Sequence, residues 1–126
     1  MRAQADDDRG SGTLEVAVLF PVVLLIVMAI LQAGLWYHGR SVALAAAQEG
    51  VSAGRAELSS VGHAQEAAAA FAEKVGALDD VSVSTAGSSA TRIRVTVTGR
   101  VPSLIPGVPI AVSQEASGAV ERWTTP

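Results

Sequence analysis

Residues 16–37, VAVLFPVVLLIVMAILQAGLWY, are the stretch that decides the fold. None of these 22 residues is charged, and Val, Leu, Ile, Ala, Met and Phe dominate. At about 1.5 Å per residue, a helix of this length extends roughly 33 Å, enough to cross the ~30 Å hydrocarbon core of a bilayer. Trp36 and Tyr37 end the stretch with amphipathic rings that favour the membrane interface. We therefore predict a single transmembrane helix from Val16 to Tyr37.

Two other interpretations of this stretch can be weighed on the sequence. A cleaved secretory signal has an apolar core of only about 7–15 residues, although the small residues at 43–47 offer a cleavage site. A buried helix needs a larger domain around it than a chain of 126 residues provides. Pro21 would kink a soluble helix, whereas lipid-embedded helices tolerate proline when the freed carbonyl finds another partner. The membrane span is the interpretation that we favour.

The composition argues against several classes of function. The chain has no cysteine, and therefore no disulfide and no thiolate nucleophile or metal ligand. Its net charge of −3 without a long run of one sign predicts no nucleic-acid partner. Residues 50–54, GVSAG, match the G-x-S-x-G pattern of hydrolases, but that motif needs a strand before it, and the surroundings here predict helix. We expect no enzyme: no catalytic residue, metal, cofactor or small-molecule substrate.

Two further helical segments are predicted after the apolar stretch. The Ala-rich residues Ser41–Leu58 favour a continuation of the membrane helix. Within Val61–Leu78, apolar residues recur at alternating steps of three and four, which predicts an amphipathic helix that Ser59-Ser60 cap and Asp79-Asp80 end. The predicted buried stripe consists of Val61, Ala64, Ala68, Phe71, Val75 and Leu78.

The remaining residues alternate between apolar and polar, as half-buried strands do. A first strand at 81–84 precedes a hairpin loop at 86–89, and a long second strand at 92–101 has one apolar and one basic face. A proline-containing loop at 102–107 leads into a third strand from Val108 toward Val120. The predicted fold class is α+β: a long N-terminal transmembrane helix, a second amphipathic helix and a small three-stranded antiparallel sheet.

The junction before the apolar stretch reads Arg9-Gly10-Ser11-Gly12-Thr13-Leu14-Glu15. A carboxylate inside an apolar run is costly in lipid. One explanation is that Glu15 lies at interface depth, where a helix N-terminus favours negative charge by about 0.3–1 kcal/mol. The other is that the junction resembles the processing site of type IV prepilins, which are cut after a Gly and have Glu as the fifth residue of the mature chain. A cut between Gly10 and Ser11 makes Glu15 fifth.

The segment after the apolar stretch, residues 46–55, reads AAQEGVSAGR. Together with the junction and the Pro-containing apolar helix, it resembles the TadE-like family of pseudopilins, minor components of the tight-adherence (Flp-type) pilus system. The family typically has Ala-Ala-x-Glu-Gly-x-x-x-Gly/Ala-Arg at this place, with a basic residue before the Glu where this chain has Gln48. The resemblance covers residues 9–55 well and the rest by pattern, including a final Glu121-Arg122 pair.

This resemblance implies a pilin-like fold and a place for each segment. Residues 1–10 would be a cytoplasmic leader, residues 11–40 the transmembrane helix with its flanks, and residues 41–126 an extracytoplasmic domain. The chain would be a minor pseudopilin-like component of the plasma membrane, processed by a prepilin peptidase and incorporated in a pilus. Its partners would be membrane lipid, the peptidase and other pilin or pseudopilin subunits, and Glu15 would neutralise the Ser11 amine of a neighbouring subunit.

Two questions stay open on the sequence. An uncleaved, single-pass binding module of the cell envelope is the alternative function, with Arg92, Arg94 and Arg100 as its binding face. The small residues Ala46, Gly50 and Gly54 recur every four positions and permit close helix packing. Their partner could be the second helix or another subunit, and helix propensity alone could also explain them.

Overall fold

A computed structural model of the chain describes the backbone of residues 2–56 and 60–121, with side chains from Gly12 onward. The described residues form two helices and three strands: α1 (Arg2–Arg55), α2 (Val61–Val75), β1 (Asp79–Ser84), β2 (Arg92–Val101) and β3 (Ile110–Ala119). The sheet has the order β1-β2-β3, and both strand pairs are antiparallel. The predicted α+β class is confirmed. Leu58, Ser59 and Arg122, which the sequence analysis used, lie outside the described residues.

Helix α1 contributes to two separate compact units, Met1–Ala33 and Gly34–Pro126. In the first unit, the helix is continuous through Pro21, and its large apolar side chains from Leu14 to Leu31 are exposed, with Met28 half-buried. Residues 12–55 contain a helix that is long and apolar enough to cross a membrane, and its most apolar part has no residue buried inside the protein. Exposure of such side chains is expected where lipid replaces water as the solvent.

In the second unit, the later part of α1 and all of α2 cover one face of the sheet. Strand β2 is central and alternates strictly, with Ile93, Val95, Val97 and Val101 buried, as predicted. Both helices bury mainly alanine and valine on this face, and no polar side chain is buried among the described residues. The buried helical side chains are Val42, Ala43, Ala46, Ala47, Val51, Ala64, Ala68 and Ala72.

Helix α2 begins as predicted and ends three residues earlier. Ser60 is its N-cap, and its Oγ accepts a hydrogen bond from the His63 backbone N–H at 3.3 Å. The helix stops at Val75 because Gly76 adopts the left-handed conformation, with φ of 71°. The prediction that Asp79-Asp80 end the helix is wrong, since both belong to β1.

The predicted buried stripe of α2 is also partly wrong. Val61 and Val75 are exposed, Phe71 is half-buried, and Ala72 is buried in their place. The buried row Ala64, Ala68, Ala72 has a spacing of four, and only small side chains fit there because α2 packs closely on its neighbours. Leu78 is buried, but it lies in the connection to β1.

Two loop boundaries differ from prediction as well. The hairpin loop between β1 and β2 spans residues 85–91, wider than the predicted 86–89. Strand β3 begins at Ile110 instead of Val108, because Val108 closes a turn with the Ile105 carbonyl at 3.3 Å. Three prolines at 102, 106 and 109 lack the N–H that a strand ladder requires, so the connection stays outside the sheet.

Candidate processing and assembly site

The predicted cleavage junction lies within α1, and the backbone of Gly10 and Ser11 is helical. A peptidase needs an extended substrate, so this turn of helix must unwind before it can be cut. Glycine costs about 0.8–1 kcal/mol relative to alanine inside a helix, and Gly10 and Gly12 are both in this turn. The junction is therefore an intrinsically weak part of α1.

Glu15 lies one helical turn after Ser11, on the same face of α1. Its side chain is exposed, and it forms no hydrogen bond or ion pair with any residue in the described parts of the chain. A carboxylate at the edge of an apolar surface is strongly disfavoured in lipid unless a positive charge accompanies it. Among the side chains that the structure describes, none supplies this positive charge to Glu15.

The small residues Gly50 and Gly54 face α2 and β2. A Cβ atom added at Gly50 would lie 2.8 Å from the carbonyl oxygen of Ala64 and 2.9 Å from the Ala68 Cβ. At Gly54 it would lie 2.8 Å from the Ala64 Cβ. These separations are shorter than real Cβ contacts, so a larger residue at either position must displace α2. Ala46, one turn earlier, is fully buried on the same face.

Sequence reasoning missed a third glycine of this face. Gly39 is buried, and a Cβ atom added there would collide with the Val101 side chain at the end of β2. The hydrophobic pattern of the sequence assigns Gly39 no packing role. Its spacing of eleven residues before Gly50, three turns of helix, was the available signal.

Arg55 was also missed as a structural residue. Its Nε donates a hydrogen bond to the Ala119 carbonyl at 2.8 Å, and its own carbonyl accepts from the Glu121 N–H at 2.9 Å. The Arg55 side chain passes over Gly118, where an added Cβ would lie 2.6 Å from the Arg55 Cδ. Arg55 thus joins the end of α1 to the end of β3, a contact across 64 positions that sequence periodicity does not reveal.

The basic face of β2 is present but largely paired. Arg94 Nε lies 3.3 Å from a carboxylate oxygen of Glu115, and Arg100 lies 3.4 Å from Asp80. The Arg92 guanidinium donates to the Ser117 hydroxyl at 3.2 Å. Each arginine therefore has a partner on a neighbouring strand, as expected for a solvated sheet face with cross-strand pairs.

These features define a class: an α+β protein whose N-terminal helix is long and apolar enough to cross a membrane and whose later helical turns form part of the core of a small domain. The family model described as TadE-like protein matches residues 10–52, about a third of the chain. This match confirms the resemblance to the TadE-like family, which comprises structural components associated with the tight-adherence pilus and is not a family of enzymes. No curated protein and no solved structure matches the chain.

Proposed function

We propose that the chain is a minor pseudopilin-like subunit of a tight-adherence (Flp-type) pilus or a related secretion system. A prepilin peptidase removes residues 1–10 on the cytoplasmic side, and the mature chain starts at Ser11. Residues 11–40 anchor it in the plasma membrane, and residues 41–126 form the domain outside the cytoplasm. The mature chain then joins other pilin or pseudopilin subunits.

One observation carries this proposal: the family match begins at Gly10 and continues through the exposed apolar part of α1. The matched segment therefore contains the proposed cleavage junction, Glu15 and the membrane stretch together. The glycines at 10 and 12 support local unwinding at the junction, which cleavage requires.

The intact mass of the protein, isolated from membranes with and without the prepilin peptidase, tests the cleavage. We expect a chain that begins at Ser11 only when the peptidase is present. Gly10→Trp should abolish this conversion, because a bulky side chain obstructs a narrow cleft that glycine enters freely. Gly34→Trp is the control, since nothing lies within 4 Å of a Cβ added at Gly34. Normal conversion of the Gly10→Trp chain contradicts the proposal.

Glu15 is proposed to pair with the new Ser11 amine of a neighbouring subunit. The support is its exposed carboxylate and the absence of an intramolecular partner in residues 12–56 and 60–121. An ion pair is tolerated in low dielectric where a single charge is not, so pairing would fix the register between subunits. The competing explanation is stabilisation by the helix dipole of its own chain, which needs no neighbour.

The substitution Glu15→Ala separates these explanations. We expect the variant to reach the membrane at normal levels and to lose most of its formaldehyde cross-links to pilus subunits in intact cells. Glu49→Ala, which removes an exposed carboxylate from a later turn of α1, should keep them. Full cross-linking of the Glu15→Ala chain would leave the dipole explanation and reject the intersubunit pair.

The alternative function, an uncleaved binding module, has weaker support. It relies on the basic face of β2, and the arginines there already have partners on β1 and β3. A ligand would have to compete with these cross-strand partners for the guanidinium groups. This face supports solubility of the domain better than it supports a dedicated binding site.

A further inference from the structure

The loop between β2 and β3, residues 102–109, has an unusually apolar surface. Leu104, Ile105 and Val108 are 37%, 52% and 46% exposed. No charged residue occurs from Val101 to Gln114, although charged residues flank this interval on both sides. Exposed apolar side chains that cluster in one loop are typical of contact with a membrane or another protein.

The position of this loop follows from the contacts between α1 and β2, which run antiparallel to each other. Gly54 faces Ile93, Gly50 faces Val95, and Gly39 faces Val101. Strand β2 therefore runs back toward the start of the domain and ends beside Gly39. The loop begins at the next residue. Gly39 is two residues after Tyr37, where the membrane stretch ends at the interface.

The loop backbone is held in a shape that suits an apolar surrounding. The Val108 N–H donates to the Ile105 carbonyl at 3.3 Å, with Pro106 and Gly107 between them and a φ of 78° at Gly107. This is the pattern of a type II turn, which brings Ile105 and Val108 close together. The Ser103 hydroxyl also accepts from the Ile105 N–H at 3.2 Å. Prolines at 102, 106 and 109 have no N–H to desolvate.

We propose that loop 102–109 inserts into the outer interfacial layer of the bilayer and forms a second membrane contact beside Trp36 and Tyr37. The inference rests on the proposed membrane anchor, with which this contact is continuous. The charged groups beside the loop suit the headgroup layer: Asp79, Asp80 and Arg100 line the same pocket as the loop, and Arg100 pairs with Asp80. Arg40, the residue after Gly39, lies over the Trp36 ring at 5.4 Å. Two contacts on one side of the domain restrict its tilt relative to the bilayer.

The absence of cysteine permits a direct test, because one introduced cysteine carries one nitroxide spin label. The full chain is reconstituted in vesicles of phosphatidylethanolamine and phosphatidylglycerol, with labels at Ile105→Cys, Leu24→Cys or Ala86→Cys. Collision with oxygen, which concentrates in lipid, is compared with collision with a water-soluble nickel chelate. Ala86 is the matched loop control, since it lies in the hairpin loop at the opposite end of β2.

We expect the oxygen-to-nickel ratio at Ile105 to be several-fold higher than at Ala86 and lower than at Leu24. Equal ratios at Ile105 and Ala86, with a high ratio at Leu24, would overturn the loop contact and leave the membrane anchor intact. Low collision with both reagents at Ile105 would mean that protein covers the loop, which also overturns the proposal. A water-like ratio at Leu24 would reject the anchor itself.

Discussion

Residues 14–31 and residues 39–54 belong to the same helix, yet they follow opposite rules. The first segment carries Leu, Ile, Val and Phe, and these large side chains are exposed. The second segment carries Gly or Ala at most of its buried positions, and Val42 and Val51 are the two larger residues among them. Lipid solvates large apolar groups on any side of a helix, whereas close contact with a helix and a sheet favours small ones. Residue size therefore distinguishes the two environments better than hydrophobicity does.

Charged substitutions should give the largest difference between the two segments. We expect Leu24→Asp with Leu25→Asp to remove most of the protein from the carbonate-resistant membrane fraction. Each carboxylate at the centre of a span costs about 2.5–3.5 kcal/mol of insertion free energy, and aspartate has little influence on orientation. Leu44→Asp with Gln48→Asp adds the same charges to exposed positions of the second segment. That control should stay in the membrane, and equal behaviour of the two variants would contradict the division.

Glycine substitutions should give a smaller effect, and it should fall in the packed segment: Gly50→Leu is expected to lower the stability of the domain and Gly34→Leu is not. Gly50→Leu forces a side chain against the Ala64 carbonyl, and overpacking of this kind costs about 1–3 kcal/mol of unfolding free energy. For a domain of this size, each kcal/mol lowers the thermal midpoint by roughly 4–8 °C. Gly34→Leu meets open space and should leave the midpoint unchanged or slightly raised, because leucine has the higher helix propensity. Circular dichroism in detergent measures both, and a larger loss at Gly34 would refute the packing.

The sequence predicted the features that depend on hydrophobic periodicity, on a long apolar run or on a local capping residue. The apolar stretch, the strict alternation in β2 and the Ser60 cap all have local causes, and the structure agrees with each. The stripe of α2 failed because large apolar residues received more weight than alanines, although only alanines fit beneath α1. Asp79-Asp80 looked like a helix end, whereas the left-handed Gly76 provides it.

Of the candidate site, the processing junction was predictable from the sequence, and the long-range packing contacts were not. Gly10 and Glu15 were found because the prepilin pattern is local in sequence, and their processing and pairing stay predictions. Gly39 and Arg55 were missed because their partners, Val101 and Ala119, are more than sixty positions away. Contacts of that kind depend on how β2 and β3 are placed against α1, which hydrophobic periodicity does not specify.

The central claim is that the first segment of α1 lies in lipid and the second lies in the domain outside the cytoplasm. The most direct test is cysteine accessibility along α1 in spheroplasts, measured with a membrane-impermeant maleimide. The strain lacks the prepilin peptidase, so residues 1–10 stay attached. Single cysteines replace Ala3, Leu24 and Leu44 in the otherwise cysteine-free chain. We predict that Leu44→Cys reacts from outside, Leu24→Cys reacts only in detergent, and Ala3→Cys reacts only after lysis. Reaction of Leu24→Cys without detergent, or of Ala3→Cys from outside, would contradict the account.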